Sequence, residues 1–147
     1  MSGDAHHITA PAEDGDGGFR AMKEALNMAK ISSEEVDYIN AHGTSTVKGD
    51  EIEINAISRL FNHNLFVSST KSSIGHLLGA AGSVESIFSI MSLNKNILPA
   101  TLNLDNPIES NKINLIPKIP IEKKINYALS NSFGFGGTNT ALLFKSI

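Results

Sequence analysis

Three short segments of the chain hold residues that could do chemistry together. The first is Asn40-Ala41-His42-Gly43-Thr44-Ser45-Thr46. An imidazole changes its charge near neutral pH, and hydroxyls both donate and accept hydrogen bonds. Gly43 lets the backbone come close to a ligand. The second is Ser68-Ser69-Thr70-Lys71-Ser72-Ser73-Ile74-Gly75-His76. A lysine near a histidine disfavours the imidazolium form. A neutral imidazole with one nitrogen pinned can donate from the other to a developing oxyanion. Glu85, further along, could neutralise Lys71. The third is Ser132-Phe133-Gly134-Phe135-Gly136-Gly137. Gly134 and Gly136 flank an aromatic side chain that such a loop could swing, and its free N–H groups could form part of an oxyanion hole. Each segment also has a plainer reading: a helix-capping loop around a hydrogen-bonded histidine, a solvated lysine ahead of a helix, and a tight hairpin with a packed phenylalanine.

The elements that must position these residues follow from periodicity. Gly15–Gly18 reads as a flexible turn. A helix comes next over about Phe19–Lys30, with Met22, Ala25, Leu26 and Ala29 on one face. Ser32 and Glu35 have capping-box spacing. Val36–Ala41 reads as a short buried strand running into His42. Asp50 is placed to begin a second helix to about Phe61, with Ile52, Ala56, Ile57 and Leu60 inward. Leu65–Thr70 is the next strand, delivering Lys71 into a loop. A third helix covers about Leu78–Leu93. Beyond it, Pro99 and Pro107 interrupt any regular element. Tyr127–Ser132 and Thr140–Phe144 read as two strands around the glycine-rich turn. This alternation implies an α/β layered domain with a mostly covered sheet. In such sheets chemistry collects at loops beyond the strand ends, which is where the three segments fall.

Bulk properties bound the possibilities. The chain has 147 residues, enough for one domain with its own core. It is 41% hydrophobic and 18% charged, the composition of a globular protein. Its net charge of −3 argues against nucleic acid as a partner. It has no cysteine, so disulfides, thiolate metal sites and cysteine catalysis are excluded within it. Met1–Pro11 is polar and has no apolar core segment, so no secretory signal is expected. Ser72–Asn94 carries one carboxylate and no Lys or Arg, and Gly75 and Gly79 have the spacing of a membrane packing motif. Its six serines and three glycines lower the hydropathy too far for a span. A helix buried on most sides in a soluble core explains it better.

Other candidates are weaker. Asp14-Gly15-Asp16-Gly17-Gly18 resembles the opening of a calcium loop, but Ala25 stands where the closing glutamate belongs. His6, His7 and His63 lack metal-ligand partners at helical spacing, so no metal is expected. Ser45 has no nucleophile-elbow glycines around it.

Taken together, segments 40–46 with Gly49-Asp50, 68–82 and 131–139 resemble the β-ketoacyl-acyl carrier protein synthases of the thiolase-like fold. The resemblance covers essentially the whole chain, residues 1–147, as the carboxy-terminal domain: one half of the α-β-α-β-α condensing-enzyme fold. Val84-Glu85-Ser86 and Leu98–Pro107 look closest to the type II synthase of fatty-acid elongation. The resemblance implies decarboxylative condensation of malonyl carrier protein with an acyl-cysteine. His42 and His76 would hold the malonyl thioester carbonyl and stabilise its enolate. Lys71 would position and tune His76. Thr44 and Thr46 would bond the phosphopantetheine arm. Phe135 would be the gate, with its N–H in the acyl oxyanion hole. Glu85, Gly134 and Gly136 would support them.

No cofactor is implied beyond the phosphopantetheine of acyl carrier protein, which carries the substrates. The partners implied are acyl carrier protein and an amino-terminal half bearing the cysteine, with homodimers and a cytoplasmic location as in the family. The chain alone would then be inactive. The alternatives are a non-catalytic carrier-binding or regulatory module, and an inactive fragment.

Overall fold

The computed structural model describes residues 1–110 and 112–147. A brief strand β1 (Ser2–Gly3) leads to helix α1 (Asp16–Ala29). The helix begins three residues before the expected Phe19, so Gly17 and Gly18 belong to it and are buried. They are points of close contact rather than a flexible turn. A side chain at Gly18 would meet the Phe133 ring at 2.9 Å, and one at Gly17 would overlap Asp4. Ala29, expected inward, is exposed. After α1 the Ser32 N–H donates to Glu35 Oε2 at 2.8 Å, as the capping-box spacing implied.

Strand β2 (Tyr38–Asn40) comes next, then α2 (Val47–Leu60), β3 (Leu65–Ser68), the single turn α3 (Lys71–Ile74), and α4 (Ala81–Lys95). Lys71 therefore opens a helical turn rather than a loop. Asp50 does not cap α2. It lies in the first turn and reaches back to the Ser45 N–H at 3.1 Å, which lets the helix start at Val47. The proline-broken stretch contains three strands that periodicity missed: β4 (Ile97–Leu98), β5 (Ile113–Leu115) and β6 (Ile121–Glu122). The hairpin β7 (Tyr127–Gly134) and β8 (Thr138–Lys145) ends the chain.

Six strands form one sheet in the order β1-β8-β7-β2-β3-β5, with β7, β2, β3 and β5 parallel, β8 antiparallel to β7, and β1 antiparallel to β8. A first core cluster joins Met22 and Leu26 of α1 and Ile57 of α2 to Ile39, Leu65, Val67 and Leu129 of the sheet. A second, on the other face, joins Leu93 of α4 to Tyr38, Ile116 and Ala128. Helices thus cover both faces. The register sets Asn40 beside Ser68 and Ser130, forming a polar rung at the carboxyl ends of the central strands.

α4 departs from the expectation of a helix buried on most sides. Its inner face buries Glu85, Ser89 and Ser92, while Ile87, Ile90 and Met91 are 56%, 42% and 49% exposed. Ala81 and Leu93 are buried beside them, so the inner face is mixed rather than apolar, unlike the usual amphipathic arrangement. Among the described residues, no helix is long and apolar enough to cross a membrane.

Candidate functional site

The polar rung leads directly into the site. Past Asn40 and Ala41, β2 delivers His42 and Gly43. Past Ser68, β3 delivers Lys71 and then His76. The β7–β8 hairpin delivers Phe133 and Phe135. Parallel strands of matched register bring these three segments to one end of the sheet.

The His42 and His76 rings meet edge to face, 5.4 Å between centroids at 85°. Phe133 leans on His42 at 5.6 Å. Burial, then the Lys71 charge, then His76, push the His42 pKa from 6.5 down to about 3. His42 is therefore neutral at physiological pH. His76 Nδ1 accepts the Leu78 N–H at 3.2 Å, which leaves Nε2–H as its donor. Lys71 and Glu85 form an ion pair, with side chains 4% and 1% exposed. Burial raises the Glu85 pKa and the lysine opposes it. Glu85 thus sits opposite Lys71 as the sequence suggested. The lysine's charge is felt at His42.

Gly43 has φ +35, and a side chain there would meet Ser69 Cβ at 2.7 Å. Ser69 Oγ donates to the Gly43 carbonyl at 2.8 Å and locks the two loops together. Ser45 is left-handed, φ +62. That kink brings the Thr44 and Thr46 hydroxyls within 3.3 Å of each other on the exposed rim. Phe135 is 78% exposed on the turn Phe135–Gly137, where Gly136 has φ +75. The amino-terminal segment clasps this turn: Gly136 N–H donates to Ile8 O at 2.7 Å, and Asp4 N–H to Gly137 O at 2.8 Å. Gly134 closes the hairpin opposite Thr138.

A cleft of about 780 Å³ opens over His42, His76, Phe133, Phe135 and Thr46, with His7 on its rim. A second cleft of about 590 Å³ lies beside it, between Thr44, Lys71 and Thr101–Asn106. His42, Thr44, Thr46, Lys71, His76, Gly134 and Phe135 line these clefts, and Glu85 braces them through Lys71.

Sequence reasoning missed the supports. Glu53 is buried in α2 and accepts the His42 N–H at 2.9 Å, the Gly43 N–H at 2.9 Å and Asn131 Nδ2 at 3.1 Å. Burial raises its pKa, against those three bonds. Asn40 bonds Thr70 Oγ1 at 3.1 Å and the Glu85 carbonyl at 3.3 Å. The available signals were a carboxylate among the inward residues of α2 and asparagines inside apolar strands.

The model of the β-ketoacyl synthase carboxy-terminal domain matches residues 1–105. The chain belongs to the β-ketoacyl synthase family. Its relatives include 3-oxoacyl-[acyl-carrier-protein] synthase 2 of Rhizobium meliloti, 55% identical over 99% of this chain, and that of Vibrio harveyi, 52% identical over all of it. The chain spans about a third of their length, 35% and 36%. Solved synthases share the fold. A β-ketoacyl synthase from Burkholderia phymatum has TM-score 0.89 and 37% identity, over 99% of this chain and 35% of its own. The ishigamide ketosynthase/chain length factor has TM-score 0.93 and 31% identity, over 99% and 36%. The thiolase-like half-fold read from the motifs is thus the fold observed.

Proposed function

We propose that this chain supplies the decarboxylating half of a type II β-ketoacyl synthase active site. The observation that carries the proposal is the pair of histidines at the cleft floor. His42 is held neutral, and His76 has Nδ1 occupied and Nε2–H free. When a malonyl thioester loses carbon dioxide, the electron pair of the broken C–C bond moves onto the thioester oxygen. Two neutral N–H donors suit that oxygen, where negative charge develops. Lys71 supports them by keeping His42 uncharged. The enolate carbon then attacks an acyl-cysteine carbonyl, the thiolate leaves, and a 3-oxoacyl thioester remains on the carrier. The Phe135 turn would give an N–H to the acyl oxyanion. Thr44 and Thr46 would hold the phosphopantetheine arm that brings the substrates, and no other cofactor is needed.

The attacked cysteine must come from elsewhere, since this sequence contains none. The exposed apolar residues of α4 support a partner half on that side. Acyl carrier protein, a homodimeric assembly and a cytoplasmic setting belong to the same reading. The test is condensation of acyl and malonyl carrier protein by this chain alone and after co-expression with a cysteine-bearing amino-terminal half. Activity is expected only in the mixture. His76→Ala should then abolish decarboxylation and spare cysteine acylation, and equal loss of both would overturn the assignment. No activity with a folded partner half would leave a carrier-binding or regulatory module, or an inactive fragment, as the better account.

A further inference from the structure

The paired stretch of β2 and β3 ends at Asn40 and Ser68, short of the turn that opens with Lys71. Side chains tie the loops together from there. One tie is Ser69 to Gly43. The other is the amide of Asn40, which is fully buried. Its Oδ1 accepts the Thr70 N–H at 3.4 Å, and its Nδ2 donates to the Glu85 carbonyl of α4 at 3.3 Å. Thr70 Oγ1 lies 3.1 Å from Nδ2 and 3.2 Å from Oδ1. The two backbone partners are of opposite kind, one donor and one acceptor, so the amide fits only one way round. Aspartate would offer the Glu85 carbonyl no donor, and leucine, of similar shape, would offer neither group. The identity of the partners is the telling point. Thr70 directly precedes Lys71, and Glu85 is the residue whose carboxylate pairs with Lys71. One amide therefore spans the backbones on both sides of the buried ion pair, and joins them to the strand that delivers His42.

We infer that Asn40 is a positioning residue for the Lys71–Glu85 ion pair. A lysine stem is flexible, so its ammonium is placed by its own backbone and by its partner. Asn40 holds both, and so fixes the ammonium beneath the His42 loop. The consequence for decarboxylation rests on the function proposed above, but the placement of the ammonium can be read without it.

The probe is the ¹H–¹⁵N signal of the Lys71 ammonium in the full chain at neutral pH, assigned by its absence in Lys71→Met. Burial shields the ammonium from exchange with water, so the signal is expected in the wild type. Asn40→Leu should abolish it or shift it. Thr70→Val, which removes only the hydroxyl, should shift it less. An unshifted signal in a folded Asn40→Leu would overturn the inference. If that variant does not fold, an unshifted signal in Thr70→Val would do so. With the chain joined to a cysteine-bearing half, Asn40→Leu should lower kcat for malonyl decarboxylation by about ten- to a hundredfold, the scale of an ångström-sized misplacement. KM for malonyl carrier protein and cysteine acylation should stay within about twofold. In a Lys71→Met background, Asn40→Leu should add no more than about twofold, because the two changes act through one group. A full additive loss there would overturn the inference. A displaced ammonium with decarboxylation unchanged would uphold it and overturn the role given to Lys71 in the proposed function.

Discussion

Replacing Glu53 with glutamine is the sharpest test of how the His42 loop is held. The Glu53 carboxylate is 4% exposed and faces donors only. Oε1 accepts from His42 N at 2.9 Å and Asn131 Nδ2 at 3.1 Å, and Oε2 accepts from Gly43 N at 2.9 Å. Glutamine keeps the shape, so no cavity enters the result. In its better orientation the amide oxygen keeps the His42 and Asn131 bonds. The amide nitrogen then faces the Gly43 N–H, donor against donor. Two buried donors are left unpaired, at about 1–3 kcal/mol each, so Glu53→Gln should lose about 2–6 kcal/mol. That is a large share of the roughly 5–15 kcal/mol that holds a domain together.

Urea unfolding would measure the loss as a lowered midpoint at unchanged slope. The pH dependence gives a second reading. Burial raises the folded pKa of Glu53, so the folded state binds the proton more tightly than the unfolded chain. Its contribution is therefore present at low pH and falls away as pH rises through the raised pKa. The glutamine variant should lack that fall. A loss below about 0.5 kcal/mol, the scale of an ordinary surface change, would show that the carboxylate does not hold the loop and would refute the reasoning.

The same geometry leads to three further outcomes. Lys71→Met strands the buried Glu85 carboxylate and should cost about 3–5 kcal/mol in thermal or urea unfolding. Adding Glu85→Leu should restore at least half, and a double variant as unstable as the single one would show that the ion pair is not the cause. The folded pKa of His42 is depressed to about 3, so the unfolded chain takes up its proton first and stability drains away as pH falls from 6.5 toward 3. His42→Gln should flatten that slope in acid titrations of stability. Gly43→Ala must place a Cβ at φ +35 against Ser69, and should cost about 1–3 kcal/mol in unfolding. Ser69→Ala should relieve little of this, since alanine keeps the Cβ at 2.7 Å and the Ser69–Gly43 hydrogen bond is lost.

The sequence made the candidate site's most prominent side chains legible because their signals are local. His42, Lys71, His76 and Phe135 each lie just past an apolar strand, and a parallel sheet gathers such ends together. Glu85 could be paired with Lys71 by sign alone. Glu53, Asn40 and Asn131 were not legible. Each bonds a partner distant in sequence, 45 residues away for Asn40 and Glu85 and 78 for Glu53 and Asn131, and no helical or strand period encodes such a pairing. β4, β5 and β6 were missed for a related reason. Strands of two or three residues are too short to carry an alternation: β5 forms along the edge strand β3, and β4 and β6 pair with each other in a small separate sheet. The start of α1 was misplaced because glycines read as a turn. Here they are required by the closeness of Phe133 and Asp4, a tertiary fact.

The mixed inner face and apolar outer face of α4 join these observations. A helix that buries Glu85, Ser89 and Ser92 and exposes Ile87, Ile90 and Met91 is a poor solution for this domain by itself. Well-packed apolar residues often serve stability as well as a buried ion pair or better. The polar part of the inner face is explained by where it points. Glu85 steadies Lys71, Lys71 helps keep His42 neutral, and the Glu85 carbonyl anchors Asn40 beneath the same loop. The apolar outer face is explained only if something covers it. On the proposed function, one helix would serve the chemistry on one side and assembly on the other. Polar substitution of Ile87, Ile90 and Met91 should then leave the fold of this chain nearly unchanged. It should also abolish co-purification with a cysteine-bearing half, and retention of that complex would separate the α4 surface from assembly.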